Sequence, residues 1–346
     1  MKRQCVKYLF VSCFVLAGFT HTAAWAQPRA MYQQTQYKGQ EIGKLTGEVY
    51  YARMDDYVSV FMVTPEGIIL AEPIGTEMAT WLKGEMARRF NVPVKYVIYS
   101  HYHWDHASGG SVYADTARFI GHENMLKGLA MPPAGTPLPQ NVRTQDTNGN
   151  GRIEQSEAQG NIKNQFDLYD ANGDGALSGA EITRGPIKNV RAPDLTYTDR
   201  ININLGGKRV EVISVPNGHA DDNSIVRFVD GTNVLFASDW ITVHRVPFGG
   251  DVATADEIAK AKRVEAMDFE YFICSHGALG KKADVTSNIH YREELREAVR
   301  KAIAAGQTVE QAQASVPMEE YKTWEFYEQQ RPGNVAGTFR ALTSNR

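Results

Sequence analysis

The stretch Ser100-His101-Tyr102-His103-Trp104-Asp105-His106 follows directly on Val94-Lys95-Tyr96-Val97-Ile98-Tyr99, an apolar run that reads as a β-strand. Histidines two positions apart point the same way only on an extended backbone, while Asp105 and His106 beyond them can turn towards a second point. One loop could therefore feed two metal ions. A lone histidine at a strand end would be an ordinary packed side chain. Three histidines and an aspartate within six positions, on a loop with no repeat, point to a metal site. Two zinc ions need more donors than this loop holds, because a catalytic zinc takes three or four protein ligands and a water. Three further candidates each follow an apolar strand: His219 after Val215-Pro216, Asp239 after Val234-Leu235-Phe236-Ala237, and His276 after Phe272-Ile273-Cys274.

Around this loop the pattern alternates strands with helices. Tyr57 to Thr64 and Gly67 to Pro73 read as a hairpin that opens a sheet, and residues 76–90 have helical spacing. Phe119 to His122 starts another short strand. Four prolines within residues 131–139 then exclude a helix or central strand and mark a linker. Strands resume at Arg209 to Val215, Ser224 to Val229, Val234 to Ala237 and Tyr271 to Cys274. Residues 282–305 and 308–330 are predicted to be two helices parted by Gly306.

The order HxHxDH, then His, then Asp, then His resembles the metallo-β-lactamase superfamily over roughly residues 45–125 and 200–305. The resemblance implies an α+β fold, a four-layer αββα sandwich with two mixed sheets face to face, helices outside and the metals at one edge. It implies that His101, His103 and His219 hold one zinc, that Asp105, His106 and His276 hold the second, and that Asp239 bridges them. Hydrolysis would follow by attack of a hydroxide between the two ions, with Asp105 orienting it or relaying its proton. Members that act on β-lactams usually carry cysteine or serine at the position of Asp239. An aspartate there with a complete HxHxDH resembles glyoxalase II, lactonases, alkylsulfatases and other esterases. The expectation is a dinuclear zinc hydrolase of a carboxylic ester or lactone. A β-lactam hydrolase is the alternative, then a sulfate- or phosphate-ester hydrolase, with a calcium-binding module on an inactive fold as the non-enzyme reading.

Residues 146–157 match the twelve-residue EF-hand loop: Asp146, Asn148, Asn150, the Arg152 carbonyl and Glu157 at ligand positions, with Gly151 at the sixth. A second copy places Asp170, Asn172, Asp174, the Ala176 carbonyl and Glu181 in the same positions, with Gly175 at the sixth. One or two Ca2+ ions are expected, more weakly in the first loop because Asn148 and Asn150 carry no charge. Only 12 residues part Glu157 from Asp170, too few for separate exiting and entering helices, so a compact pair with a structural role is expected. The chain thus divides into a signal peptide (1–26), a first half of the host fold (27–130), the EF-hand-like insertion (131–193) and a second half with C-terminal helices (194–346).

The signal peptide rests on Lys2, Arg3 and Lys7, the apolar run Tyr8 to Phe19 and the Ala24-Trp25-Ala26 cleavage site, which predict a mature start near Gln27 in the periplasm or outside the cell. That apolar run is short of the ~20 residues of a membrane span, so no stable membrane association is expected after cleavage. Cleavage leaves 34 basic against 40 acidic side chains, a formal charge of −6, which argues against a nucleic-acid partner and for a small-molecule substrate. The sequence sets no oligomeric state. Cys274 alone remains, reads as a buried inert thiol, and allows no internal disulfide. His244-Arg245, in a Val243 to Gly250 loop, could reach an anionic group over the metals or lie solvated on the surface; His122 and His290 read as ordinary.

Overall fold

Period-two alternation with apolar residues on both faces is the mark of strands buried from both sides. In the computed structural model, which describes residues 37–231, 233–249 and 252–344, β3 (Tyr57–Thr64) sends Val58, Val60 and Met62 to one face and Phe61 to the other. The expected signal peptide lies outside the described residues. β4 (Gly67–Ala71) and β5 (Val94–Ile98) alternate likewise, Ile69, Ala71 and Ile98 opposing Ile68, Leu70 and Val97. With β1 (Gln40–Thr46), β2 (Val49–Met54), β6 (Arg118–His122) and β9 (Leu195–Tyr197) these strands form a sheet ordered β1-β2-β3-β4-β5-β6-β9. It is antiparallel up to β4 and parallel beyond. A second sheet runs β10 (Arg200–Leu205), β11 (Lys208–Ser214), β12 (Ser224–Val229), β13 (Val234–Ala237), β14 (Tyr271–Ile273), β15 (Leu279–Lys281), parallel only between β13 and β14.

The two sheets meet through Val60, Met62 and Ile69 from one and Val212, Phe228 and Phe236 from the other. On the outer face of the first lies α1 (Thr76–Arg89), whose Met78, Ala79, Leu82 and Met86 share one side at helical spacing. Full burial of side chains such as Leu82 is worth roughly 1.5–3 kcal/mol each. α7 (Ala255–Glu265) and α8 (Lys282–Ala304) cover the second sheet with Ala261, Val264, Val285 and Ile289. These are the four layers, in mixed sheets and outer helices. No helix among the described residues is long and apolar enough to cross a membrane.

Three local expectations are corrected. The hairpin does not open the sheet, since β1 and β2 precede it; β1 is an edge strand whose half-exposed side chains blur the alternation. Residues 308–330 are not one helix: α9 (Val309–Ser315) ends before Pro317, and α10 (Tyr327–Thr343) begins after an irregular turn. α7 was not foreseen, although its start carries a capping signal in Thr254, whose side chain accepts from the Glu257 N–H.

Between the linker and β9, the strands β7 (Ile153–Glu154) and β8 (Ala176–Leu177) pair antiparallel, Ile153 opposite Leu177. In both flanking loops the first aspartate accepts backbone N–H groups, from Asn150 and Gly151 to Asp146 and from Gly173 and Gly175 to Asp170. Gly151 and Gly175 share φ 82°, a left-handed turn that glycine adopts without strain. Contrary to expectation, separate helices do fit between the loops: α4 (Gly160–Asn164) and α5 (Phe166–Tyr169) are each about one turn and meet directly at Gln165, so no linking residues are spent.

Candidate metal centre

Each expected ligand sits where a strand delivers it. His101 follows β5, and His103, Asp105 and His106 wrap into the single turn α2 (Trp104–Ala107). His219 lies beyond β11, Asp239 beyond β13 and His276 beyond β14. All seven come together at one edge of the sandwich as two groups: His101, His103 and His219, and Asp105, His106, Asp239 and His276, with donor atoms within 4.8 Å of one another in each. No comparable cluster of His, Cys, Asp and Glu forms in the loops of residues 146–157 and 170–181 among the described residues. Asp239 faces both groups, its Oδ2 2.9 Å from His106 Nε2 and 3.5 Å from His219 Nε2, its Oδ1 3.3 Å from His276 Nε2. It does so from a left-handed backbone, φ 57°, a conformation that non-glycine residues hold at a cost and that clusters at functional sites.

The histidines are oriented from behind. Ser100 Oγ donates to Glu72 Oε1 and so accepts from His101 Nδ1 at 2.9 Å, which leaves the His101 Nε2 lone pair facing the cluster. His276 Nδ1 donates to Asp56 Oδ2 at 3.0 Å and turns its Nε2 inward in the same way. Glu72 Oε2 lies 3.3 Å from His106 Nδ1, an electrostatic contact rather than an aligned hydrogen bond. Carboxylates behind ligating histidines fix the tautomer and raise ligand basicity. Asp56, Glu72 and Ser100 were not foreseen. Asp239 Oδ1 accepts from Ser275 Oγ at 2.9 Å, which holds that carboxylate in place.

Burial and the neighbouring histidines keep His101 well below the ordinary histidine range, and burial with His219 takes His103 down to about 3, so both offer free lone pairs at neutral pH. Burial alone would lower His106, yet the Asp105, Asp239 and Glu72 carboxylates raise it well above that range. Burial alone would likewise raise Asp239, and its contacts with His106 and His276 hold it well below the usual carboxylate range. A group of this composition attracts positive charge. The buried His106 Nε2 lies 2.9 Å from Asp239 Oδ2 and 3.2 Å from Asp105 Oδ2 without an aligned hydrogen bond to either, and His101 Nε2 and His219 Nε2 face each other at 3.1 Å, an approach that two imidazole nitrogens tolerate only with a proton or cation between them. The donor set fits two divalent cations.

A family profile described as the metallo-beta-lactamase superfamily matches residues 80–276. The chain belongs to the metallo-beta-lactamase superfamily. No curated protein matches it by sequence. Among solved structures, the stereoselective inverting sec-alkylsulfatase from Pseudomonas sp. is similar at 14% identity and TM-score 0.59, over 88% of this chain and 50% of that one. A B3 metallo-beta-lactamase with an active-site glutamic acid matches at 14% identity and TM-score 0.50, over 83% of this chain and 99% of that one. A metallo-beta-lactamase from Pontibacter korlensis matches at 14% identity and TM-score 0.48, over 74% and 99%. At this identity the first two likenesses speak for the fold alone.

This superfamily member does not use Arg245 as a solvated side chain or as a clamp over the metals. Arg245 is 1% exposed and paired with Asp56 and Glu325. His244 is exposed, 3.1 Å from Asp284 Oδ1. His122 caps the helix α3 (Glu123–Leu129) and contacts the Thr198 carbonyl, and His290 is exposed, so both are ordinary. Cys274 is buried, and burial pushes its thiol up to about 11, so it is inert. Glu72→Gln keeps shape and removes charge behind two ligands. It is expected to weaken zinc binding or turnover roughly 10- to 100-fold, measured by chelator competition and by kcat; unchanged values for both would mean that Glu72 only fills space.

Proposed function

We propose that the chain is a hydrolase of carboxylic esters or lactones that works with two zinc ions. The observation that carries the reading is the convergence of seven donors at one sandwich edge, with an aspartate rather than cysteine or serine at position 239 facing both groups. His101, His103 and His219 would hold one ion, Asp105, His106 and His276 the other, with Asp239 between them. Bound there, the ions would supply Lewis acidity and bring the pKa of a water near neutrality. Asp105 faces the cluster and also lines the adjoining cavity, so its carboxylate can hold a water in place and take up its proton. Tyr57 OH donates to Asp105 Oδ2 at 3.4 Å and steadies it for that task. The substrate is a small molecule, and the charge of the chain disfavours nucleic acid. Elemental analysis should give about two zinc ions per chain, with hydrolysis lost on chelation and restored by zinc. A panel of aryl esters, lactones, thioesters, β-lactams, sulfate esters and phosphate esters then selects the substrate. A zinc-free, folded protein inert to the whole panel would sink the reading. The composition of residues 1–26 supports export before the enzyme acts.

For the insertion we infer calcium binding at residues 146–157 and 170–181. Asp170 and Glu181 are buried and turned into the second loop, where Glu181 accepts from the Ala171 and Ser178 N–H groups. Arg152 donates to Asp174 and to the Ala176 carbonyl, so a cation there would displace its guanidinium. Calcium at ~100 times its Kd should add about 2.7 kcal/mol to the stability of the insertion if it unfolds as a unit. Asp170→Ala with Glu181→Ala should abolish that gain in calcium-dependent melting; equal gains in mutant and wild type would overturn the assignment.

A further inference from the structure

A cavity of about 290 Å³ opens beside Asp105, and its two walls come from different parts of the chain. The host fold supplies Met54, Ile74, Met78 and Trp104, an apolar surface edged by Tyr57 and the carboxylate of Glu77. The segment between the two loops supplies Asn161 and Asn164 from α4, Gln165 at the junction and Leu168 from α5. Between them Ile162 and Phe166 turn the other way, into the insertion's own core. Backbone hydrogen bonds hold this wall: Gln165 N–H donates to the Asn161 carbonyl at 3.0 Å, Leu168 N–H to the Gln165 carbonyl at 2.8 Å, and Lys188 N–H to the Leu168 carbonyl at 3.1 Å. Its volume lies at the small end of ligand pockets, roughly 300–1,000 Å³. No Arg, Lys or His stands among the described residues that line it, while Glu77 and Asp105 do, so it offers no cation to an anionic group. Asp105 belongs both to this lining and to the metal cluster, so a bond reacting at the cluster leaves its attached group pointing between the two walls.

We propose that this cavity receives an uncharged hydrocarbon group of the substrate and that the inserted segment, through Gln165 and Leu168, sets how large that group is. The proposal rests on the hydrolase reading of the neighbouring cluster and gives it a substrate class: esters with a medium-length apolar chain. It also assigns the insertion a part in specificity, beyond a structural one.

The test uses the full mature chain with zinc and two ester series, p-nitrophenyl acetate to octanoate for a chain on the acyl side and ethyl to octyl acetate for a chain on the alcohol side. In the series whose chain enters the cavity, kcat/KM is expected to rise roughly two- to fourfold per methylene. Leu168→Ala should flatten that rise. Gln165→Trp, which fills the cavity, should lower turnover of the longest ester relative to the shortest by about tenfold or more. Zinc content and melting temperature, measured on both variants, separate these effects from misfolding. Calorimetric titration with octan-1-ol reads the cavity without any turnover: binding is expected in the wild type and lost in Gln165→Trp. Ester hydrolysis without chain preference, or with a preference that neither variant alters, would overturn the proposal and leave the hydrolase standing. Octan-1-ol binding lost in Gln165→Trp, with no ester hydrolysed, would keep the hydrocarbon site and overturn the assignment of carboxylic esters as its substrates. Absence of both would overturn both.

Discussion

His103→Ala and Asp239→Ala are each expected to lower kcat/KM by several orders of magnitude, every factor of ten being about 1.4 kcal/mol of lost transition-state stabilisation. His103 is one of three imidazoles packed edge to face, its ring centroid 4.4 Å from that of His101 and 4.7 Å from that of His219, so its loss strips one metal position of a nitrogen. Asp239 touches both groups, so its loss should reduce zinc content more than His103→Ala does. Neither side chain belongs to the hydrophobic core, and circular dichroism should stay that of the wild type. His290→Ala, at an exposed position, is the control. A control as damaged as the two ligand variants would mean that instability has been mistaken for chemistry.

What was legible in the sequence was whatever a local pattern encodes. Seven donors could be named because each follows an apolar run, and a strand that ends in a loop delivers its next side chain to a sheet edge. The strands that were found, such as β12 and β13, are buried runs whose alternation survives in a short window. Asp56 and Glu72 were invisible because nothing in their own neighbourhoods sets them apart, and Ser100, although next to His101, takes its role from Glu72, 28 positions away. Asp56 meets His276 across 220 positions, and such a pair exists only once two sheets are packed. Glu72 has a weak local sign that sequence alone does not print, a left-handed backbone at φ 70° in a loop where Ile74 is also left-handed, at 61°. Residues 146–181 were read from loop chemistry as an insertion, while the placing of Asn161, Gln165 and Leu168 against the cavity was not legible, because these residues are polar and apolar by turns and meet the rest of the fold only in three dimensions.

Arg245→Met is expected to cost about 3–5 kcal/mol of folding stability, the usual result of removing one member of a buried ion pair. Asp56 is 2% exposed and receives both Nη atoms of Arg245, at 3.0 and 2.6 Å, while Glu325 Oε2 takes Nε and Nη2 at 2.8 and 2.6 Å. The guanidinium also stacks 4.8 Å from the Phe326 ring, which a methionine could still cover. The loss is therefore electrostatic, with two carboxylates left without their cation. Burial alone would raise the Asp56 carboxyl, and His276 with Arg245 hold it well below its usual range. Without Arg245, Asp56 keeps only His276, so the orientation of that ligand loosens and turnover should fall as well, by less than for a ligand deletion. Urea unfolding measures the first effect. A double-mutant cycle with Glu325→Gln should show coupling of roughly 0.5–3 kcal/mol between the two sites. A side chain that clamped substrate over the metals would behave otherwise: Arg245→Met would raise KM, leave the unfolding midpoint where it was, and show no coupling to Glu325. That pattern would return Arg245 to the binding site and dismiss the network described here as packing without consequence.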